Sequence, residues 1–427
     1  MSEMDSAAII SPNPVAALDT FIDRLKKTEP SIRAWEHLDI ANARETAERL
    51  AKAPDRENPL WGRIVGVKDV IDVAGMPTKA GSRALDGVIP AVKDSTVVAR
   101  LRQAGCIILG KLKTTEFAYT DACDTANPVN PLHTPGGSSS GSAAAIAAGS
   151  ADLTLGTQTV GSVCRPAAYC GVAAFKPSTG STALTGVIQL ARSFDTVGFF
   201  ANDIKLAIAA FHSCSAQAVL RTHPPAWKEL RVGFIADSFY DDCAPSVQLP
   251  LEQLRQRLAT LEVTISDIRT GCDHQAIRDD QRVLMFREAA AVHGNLLDTP
   301  ALLKPNWRAA LEQGMRITQS QYLEARDRLT DARHRLSHAI EDVDYLIVPP
   351  VRDTAPIGLH ATGDAGLIVS WTVHGGPLAV LQVAQSANGL PIAAMIVGKP
   401  WTDRQTGAFA AALQACISSM PLTHQQH

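Results

Sequence analysis

The chain has 427 residues, of which 46% are hydrophobic and 19% are charged, a composition typical of a globular protein with a large core. Its formal net charge of −3 offers no electrostatic footprint for nucleic acid or an acidic membrane, so small polar or neutral substrates are favoured. No apolar run reaches the roughly 18 residues of a membrane-spanning helix, and we expect neither a signal peptide nor a membrane anchor. The eight cysteines form no CxxC pair, which indicates reduced thiols and a cytoplasmic location.

The first predicted elements are two helices, at Val15–Leu25 and Ile40–Ala53, because apolar residues recur there at helical spacing among charged ones. A strand-like run follows at Gly62–Val73 and carries Lys68 among apolar neighbours. Side chains alternate along a strand, so Lys68 and Asp69 are expected on opposite faces, and Asp69 need not pair with Lys68. A desolvated lysine can lose its proton near neutral pH, which makes Lys68 a candidate general base.

Two further elements lead to a serine-rich loop. A helix is predicted at Ser95–Ala104 and a buried strand at Cys106–Leu109, followed by a long connection. The loop itself, at residues 135–141, has glycines on both sides of its serines, Ser138–Ser140. Glycine permits tight or positive-φ geometry, so the backbone of this loop can direct several N–H groups at one point. Such a loop is suited to holding an anion.

A second hydroxyl-bearing loop follows closely. The small residues 142–148 favour a helix packed against a sheet, with its first turn directed back at the serines. Ala151–Gly156 is predicted to be a short strand that leads to the loop Thr157–Arg165, in which Gly161 directly precedes Ser162. A hydroxyl needs a base to become a good nucleophile, and no histidine lies in either loop. The apolar-flanked lysine of the earlier strand is therefore the better candidate for that base.

The rest of the chain continues to alternate strands and helices. Later strands are predicted at Val172–Phe175, Arg231–Ile235, Tyr345–Val348, Leu378–Ala384 and Leu390–Val397. Later helices are predicted at Asp203–Ala216, Val247–Leu261, Gln275–Leu297, Gln319–Glu341 and Gln405–Ser418. Asp364–His374 is expected to be a loop. The alternation indicates an α/β fold, with α/β/α layers around a large mixed sheet.

Three segments occur in a fixed order: GVKDV at 66–70, GGSSSGSAAA at 136–145 and GTQTVGS at 156–162. Together they resemble the amidase signature family of serine hydrolases. Asp94–Lys111 and Thr362–Gly398 also resemble segments of that family, so the resemblance covers most of the chain. It implies a single domain over 1–427 with the amidase signature fold. Within that domain we expect an N-terminal helical part at 1–60, a catalytic core at 61–215, a variable, pocket-shaping helical region at 220–340, and a return of the core sheet at 341–427.

The resemblance also implies a catalytic site, a Ser, cis-Ser, Lys triad. Ser162 would be the nucleophile, Ser138 a proton relay and Lys68 the base, with a cis peptide bond between Gly137 and Ser138. Ser162 would attack a small carboxamide, and water would hydrolyse the acyl-enzyme to a carboxylate plus ammonia or an amine. The implied oxyanion hole comprises the backbone N–H groups of Thr159, Val160, Gly161 and Ser162. Supporting contacts to the substrate or the loops are assigned to Gly137, Ser139, Gln158 and Arg165.

Neither a cofactor nor a metal is expected, and the expected partner is a small-molecule amide rather than nucleic acid or a membrane. The chain is also compatible with a homodimer. It departs from the commonest family pattern at Gln158, Val160 and Cys164, where aspartate, glycine and arginine are usual, and Arg165 is displaced by one residue. Loss of a carboxylate changes the charge near the nucleophile, and a valine narrows the approach to it. These departures bear on substrate range more than on reaction type.

A competing enzyme interpretation takes Gly137, Ser139 and Gly141 as a GxSxG motif. Ser139 would then be the nucleophile of an α/β-hydrolase, completed by a downstream aspartate and histidine. That motif needs a strand immediately before Ser139, whereas Pro135 and Gly136 favour a loop.

A second alternative gives the chain a role other than free amide hydrolysis. It would be the ammonia-supplying component of a larger amidotransferase, or a binding protein that kept the fold. Within the family, ureido compounds, esters and amino-acid amides also remain open as substrates.

Overall fold

A computed structural model describes residues 13–55, 57–215 and 226–419. Its strands are β1 Trp35–Leu38, β2 Ile64–Lys68, β3 Ile107–Leu112, β4 Leu153–Gln158, β5 Ala173–Lys176, β6 Thr196–Ala201, β7 Arg231–Ile235, β8 Thr264–Ile268, β9 Tyr345–Val348, β10 Leu378–Gln385 and β11 Pro391–Val397. Its helices are α1 Pro14–Ile32, α2 Ile40–Ala51, α3 Thr96–Gln103, α4 Ser140–Ala147, α5 Cys164–Cys170, α6 Ile204–Cys214, α7 Pro245–Thr260, α8 His274–His293, α9 Pro305–Arg316, α10 Gln319–Ala339, α11 Gly366–His374 and α12 Asp403–Ser418.

The described strands form one mixed sheet in the order β1-β3-β2-β4-β6-β5-β10-β11-β9-β7-β8. Strand β2 lies between β3 and β4 and runs parallel to both. The carboxyl ends of β2 and β4 therefore meet at one edge of the sheet. Lys68 ends β2 and Gln158 ends β4, so both residues and the loops that follow them are brought to that edge.

Helices cover the sheet in two groups, which confirms the predicted α/β/α layering. Helices α4 and α5 contact each other, and they pack on β4 and on β5, β10 and β11 respectively. Helix α6 contacts α3 and α12 and packs on β5 and β6. Among the helices of the described ranges, none has both the length and the apolar character needed to cross a membrane.

Helix α4 approaches its neighbours closely because it is built from small residues, and Gly141 stands where there is no room for a side chain. A Cβ atom there would lie 2.3 Å from the backbone oxygen of Ala34 and 2.7 Å from the backbone nitrogen of Lys113. Both atoms flank strands at the β1–β3 edge of the sheet. The small side chains thus let α4 hold the serine loop directly over the sheet.

Most of the predicted elements are present, with boundaries shifted by a few residues. The helix predicted at Asp203–Ala216 corresponds to α6, and its last predicted residue lies outside the described residues. The loop expected at Asp364–His374 is wrong, because α11 occupies Gly366–His374. Every residue of α11 is buried, so the helix has no polar face toward solvent and lacks the amphipathic periodicity that marks a surface helix.

Candidate active site

Lys68 is fully buried at the end of β2. Its Nζ atom lies 2.7 Å from Ser138 Oγ, 3.0 Å from Ser139 Oγ and 2.9 Å from Thr157 Oγ1. All three partners are neutral hydroxyl groups, so none of them compensates an ammonium charge with a full negative charge. Burial consequently lowers the pKa of Lys68 to about 7, and the negative charge of Asp195 opposes this shift. The side chain is therefore poised to exist as a neutral amine near physiological pH.

Asp69, the next residue along the chain, does not pair with Lys68. Its carboxylate lies 2.9 Å from Lys111 Nζ, and both side chains are buried. Lys111 Nζ also donates a hydrogen bond to Thr78 Oγ1, at 2.8 Å. The expectation that Asp69 need not pair with Lys68 is thus confirmed, since the nearest carboxylate in sequence forms an ion pair with another lysine.

Hydrogen bonds to the carbonyl groups of Gly137 and Ser138 hold the serine loop in place. The peptide bond between these two residues is cis, as the resemblance implies. Ser138 O accepts hydrogen bonds from Thr114 Oγ1, at 3.1 Å, and from Thr115 N, at 3.3 Å. Gly137 O accepts hydrogen bonds from Arg165 Nε and Nη2, at 3.2 and 2.6 Å. These contacts fix the backbone that directs Ser138 Oγ at Lys68.

Arg165 joins the two predicted loops. Besides its contacts with Gly137 O, its Nη1 atom donates a hydrogen bond to Gly363 O, at 2.6 Å. The guanidinium group is buried, and burial lowers its pKa from the ordinary value. Its hydrogen-bond acceptors are backbone carbonyl oxygens, which supports a role in orienting loops.

Ser162 lies on the loop between β4 and α5, and its exposed fraction is 6%. The strand before this loop supplies Thr157, which contacts Lys68, and the helix after it supplies Arg165, which holds the serine loop. The structure therefore places Ser162 on a segment that contacts Lys68 at one end and the serine loop at the other.

Ser139 is less suited to be the nucleophile of an α/β-hydrolase. Its Oγ atom is buried, accepts hydrogen bonds from Lys68 Nζ and Thr157 N, and donates one to Thr157 O, at 3.3 Å. Residues 134–136 before it are irregular rather than a strand. The geometry of a nucleophile elbow is thus absent from this part of the described chain.

Asp195 and Thr157 were not among the predicted site residues. The Asp195 carboxylate accepts hydrogen bonds from the Thr159 hydroxyl and from Leu190 N and Ala191 N, the last two at 2.8 and 3.0 Å. Burial raises the pKa of Asp195 to about 7. The signal in the sequence was a single carboxylate at the start of an apolar run, SFDTVGFF, which is unusual for a buried strand. Asp195 anchors the first residue of the implied oxyanion loop.

The Amidase family model matches residues 16–406 of this chain. The chain belongs to the Amidase family. This confirms the resemblance carried by the lysine strand and the two serine loops, and it assigns the chain to a family of enzymes that act on C–N bonds.

Curated relatives in this family are A-type subunits of glutamyl-tRNA(Gln) amidotransferase. The relative from Zea mays, a chloroplastic or mitochondrial protein, is 42% identical over 195 residues, which span 43% of this chain but only 36% of that relative. The relative from Sorghum bicolor is 30% identical over 456 residues, spanning 90% of this chain and 82% of the relative.

Solved structures share the whole fold with this family member. A crystal structure of an amidase superposes with a TM-score of 0.85 at 27% identity, over 94% of this chain and 96% of the other. A chain from a vestigial protein complex linked to the origins of an s-triazine catabolic enzyme superposes with a TM-score of 0.86 at 24% identity, over 96% of both chains. The second likeness concerns the fold alone.

The departures from the family pattern have visible local consequences. Gln158 Oε1 accepts hydrogen bonds from Val163 N and Cys164 N, at 2.8 and 3.0 Å, so the amide caps the start of α5. Cys164 is fully buried, and burial raises the pKa of its thiol to about 12, which favours a packing role over a reactive one. Val160 is partly exposed and packs against the core.

Proposed function

We propose that this chain is an amidase that hydrolyses the C–N bond of a small carboxamide through an acyl-enzyme on Ser162. The observation that carries the proposal is the buried Lys68, whose pKa is lowered to about 7 and whose Nζ atom lies 2.7 Å from Ser138 Oγ. A neutral amine in contact with a hydroxyl is the arrangement that general-base activation of a serine requires.

The reaction begins with two proton transfers. Lys68 accepts the proton of Ser138, and Ser138 accepts the proton of Ser162 as the Ser162 oxygen bonds to the carbonyl carbon. The negative charge that develops on the carbonyl oxygen is stabilised by the backbone N–H groups of the loop at 159–162.

The acyl-enzyme forms when the relay runs in the opposite direction. Lysinium returns a proton through Ser138 to the leaving nitrogen, the C–N bond breaks, and ammonia or an amine departs. Water then adds to the acyl carbon, with the same relay accepting its proton, and the carboxylate is released from Ser162. One amide and one water yield one carboxylate and one ammonia or amine, and no cofactor or metal takes part in the proposed steps.

A second candidate function follows from the curated relatives, which are amidotransferase subunits by name. In that role the same acyl-enzyme forms on Ser162, but the ammonia is delivered to a partner protein instead of being released into the solvent. Esters and ureido compounds remain alternative substrates for the same site.

The test measures ammonia and carboxylate release from a panel of small primary amides, amino-acid amides, ureido compounds and esters. The wild-type chain should release ammonia and carboxylate in equal amounts from at least one amide. Lys68→Met should lower turnover by at least about 10²-fold, since general-base catalysis contributes about 10²–10⁴. Ser162→Ala should reduce it to background.

Matched controls separate catalysis from the loss of a buried group. Lys176 is also fully buried, and burial lowers its pKa to about 8, yet its Nζ atom donates to Pro177 O at 2.7 Å. Lys176→Met and the surface substitution Ser320→Ala should both retain turnover within about threefold. Turnover that survives Lys68→Met would contradict the mechanism, and ammonia release only when a second protein is added would favour the amidotransferase role.

A further inference from the structure

Side chains of α8 and α11 donate hydrogen bonds to backbone carbonyl groups of the oxyanion loop, residues 159–162. Gln281 Nε2, on α8, donates a hydrogen bond to Thr159 O at 3.2 Å. Thr372 Oγ1, on α11, donates one to Val160 O at 2.6 Å. Two successive carbonyl groups of the loop are thus each held by a side chain from a different helix.

A bond to a carbonyl oxygen also orients the next N–H group. The peptide unit is planar and trans, so the C=O of one residue and the N–H of the following residue point in opposite directions within one rigid plane. The Gln281 contact therefore sets the direction of the Val160 N–H group, and the Thr372 contact sets that of Gly161. Both N–H groups belong to the proposed oxyanion hole.

We infer that Gln281 and Thr372 are positioning residues that aim the Val160 and Gly161 N–H groups at the developing oxyanion. The inference rests on the proposed function, because it assumes that Ser162 is the nucleophile. The third peptide plane of the loop is held in the same way, since Gly161 O accepts a hydrogen bond from Arg165 N at 2.9 Å.

Both positioning side chains are sheltered from water, with an exposed fraction of 2% each. Water therefore cannot readily replace either contact. Thr372 is itself held in place, because its Oγ1 atom accepts a hydrogen bond from Gln158 Nε2 at 2.9 Å. The Gln158 side chain thus links the start of α5, the Thr372 hydroxyl and the loop carbonyl into one connected network.

The two helices that carry these residues are also joined to each other. His274, the first residue of α8, contacts Ser370 Oγ on α11 through Nδ1, at 2.7 Å, and Asp237 Oδ2 through Nε2, at 2.9 Å. Because α8 and α11 are tied at this point, their contacts with the loop act as one rigid support. Preorganised donors of this kind lower the barrier of the chemical step, since they need no reorientation as charge develops.

The test measures the second-order rate constant for phosphonylation of Ser162 by an alkyl fluorophosphonate, which needs no knowledge of the natural substrate. Thr372→Val removes the donor but keeps the shape, and Gln281→Met removes the other donor. Misorienting one N–H group should cost less than the about 10²–10³-fold loss seen when an oxyanion donor is removed, so a reduction of about 10–100-fold is expected for each variant.

Rescue separates orientation from a general structural effect. Thr372→Ser keeps the hydroxyl donor and should react within about threefold of the wild-type rate. Thr182→Val is the matched control, because Thr182 is buried and its hydroxyl has no partner among the described residues. With an amide substrate, the loss in Thr372→Val should appear in kcat while KM stays the same.

The outcomes distinguish this inference from the function on which it rests. Absence of label on Ser162 in the wild-type chain would overturn both. Label on Ser162 at the wild-type rate in both Thr372→Val and Gln281→Met would overturn the positioning role alone. A loss that Thr372→Ser fails to restore, or that Thr182→Val reproduces, would also overturn it.

Discussion

At the scale of single residues, the site depends on a lysine whose charge the protein makes unfavourable. Lys68 is surrounded by the hydroxyls of Ser138, Ser139 and Thr157, and the adjacent carboxylate of Asp69 is taken by Lys111. The hydroxyl groups satisfy the hydrogen-bonding capacity of the amine without fixing its proton. Burial of this amine, with no carboxylate of the described residues hydrogen-bonded to it, lowers its pKa to about 7, as the proposed base requires.

The pH dependence of activity should report this base. Only neutral Lys68 can accept the Ser138 proton, so kcat/KM should rise with pH and level off above a midpoint of about 7. Asp195→Asn removes the negative charge that raises the Lys68 pKa, so the midpoint should move to lower pH. A pH–rate profile from about 5 to about 9 checks both points. A flat profile, or a midpoint that moves upward in Asp195→Asn, would contradict this assignment.

The free energy of unfolding should also depend on pH through Lys68. The pKa of Lys68 is about 7 in the folded chain and 10.5 for an ordinary lysine, so between these values the unfolded state binds more protons. The free energy of unfolding of the wild type, relative to Lys68→Met, should therefore increase with pH over that window, by at most about 1.4 kcal/mol per pH unit. Urea denaturation of both proteins at several pH values measures the difference. A difference that is constant or falls with pH would show that Lys68 is not desolvated.

At the scale of elements, the site depends on how closely α4 lies against the edge of the sheet. Gly141 brings the helix within contact of backbone atoms of Ala34 and Lys113, and the serine loop immediately precedes this contact. Backbone cannot move aside as a flexible side chain can, so α4 has no room for a larger residue at this point.

Gly141→Ala should therefore destabilise the fold and displace the serine loop. Overpacking of this kind costs about 1–3 kcal/mol, and the contact with backbone places this site at the upper end. Gly87→Ala is the matched control, because a Cβ atom at Gly87 meets nothing within 4 Å. The free energy of unfolding, measured by urea denaturation, and the rate of Ser162 phosphonylation should both fall in Gly141→Ala. Both should be unchanged in Gly87→Ala. Equal stability of the two variants would refute the close-packing argument.

Element α11 also marks the limit of prediction from sequence. Its residues GLIVSWTVH are apolar or small almost throughout, so no face is distinguished, and the Gly375–Pro377 run that follows suggested a loop. Only the tertiary structure reveals a fully buried helix whose Thr372 reaches the oxyanion loop.

At the scale of the whole molecule, the family could be predicted from the order of three short motifs, and the α/β/α layering from the alternation of strands and helices. The triad residues implied by the same motifs stay a prediction. These motifs are local, and chemistry restricts their residues. The supporting contacts could not be predicted, because Gln281 and Thr372 reach the loop from more than 100 residues away in the sequence. The edge strands β1 and β8 were also missed, since each is short and only partly buried.

The region predicted at 220–340 shares the sheet with the core. Within its described part, β7 and β8 extend the sheet through β9, and α8 packs on α11. We therefore expect one cooperative unfolding transition, as a single domain requires, with matching calorimetric and van't Hoff enthalpies. Differential scanning calorimetry makes the measurement. Two separate transitions would indicate that this region is an independent domain.

The most direct test of the central claim is to identify the residue that a fluorophosphonate modifies. The native chain is treated with the reagent, digested, and mapped by mass spectrometry, with Ser162→Ala as the control. We predict a single phosphonyl group on Ser162, which should be absent from Ser162→Ala. Its formation should be greatly slowed in Lys68→Met. Label on Ser139, or label on Ser162 that forms at an unchanged rate without Lys68, would contradict the Ser162–Ser138–Lys68 mechanism.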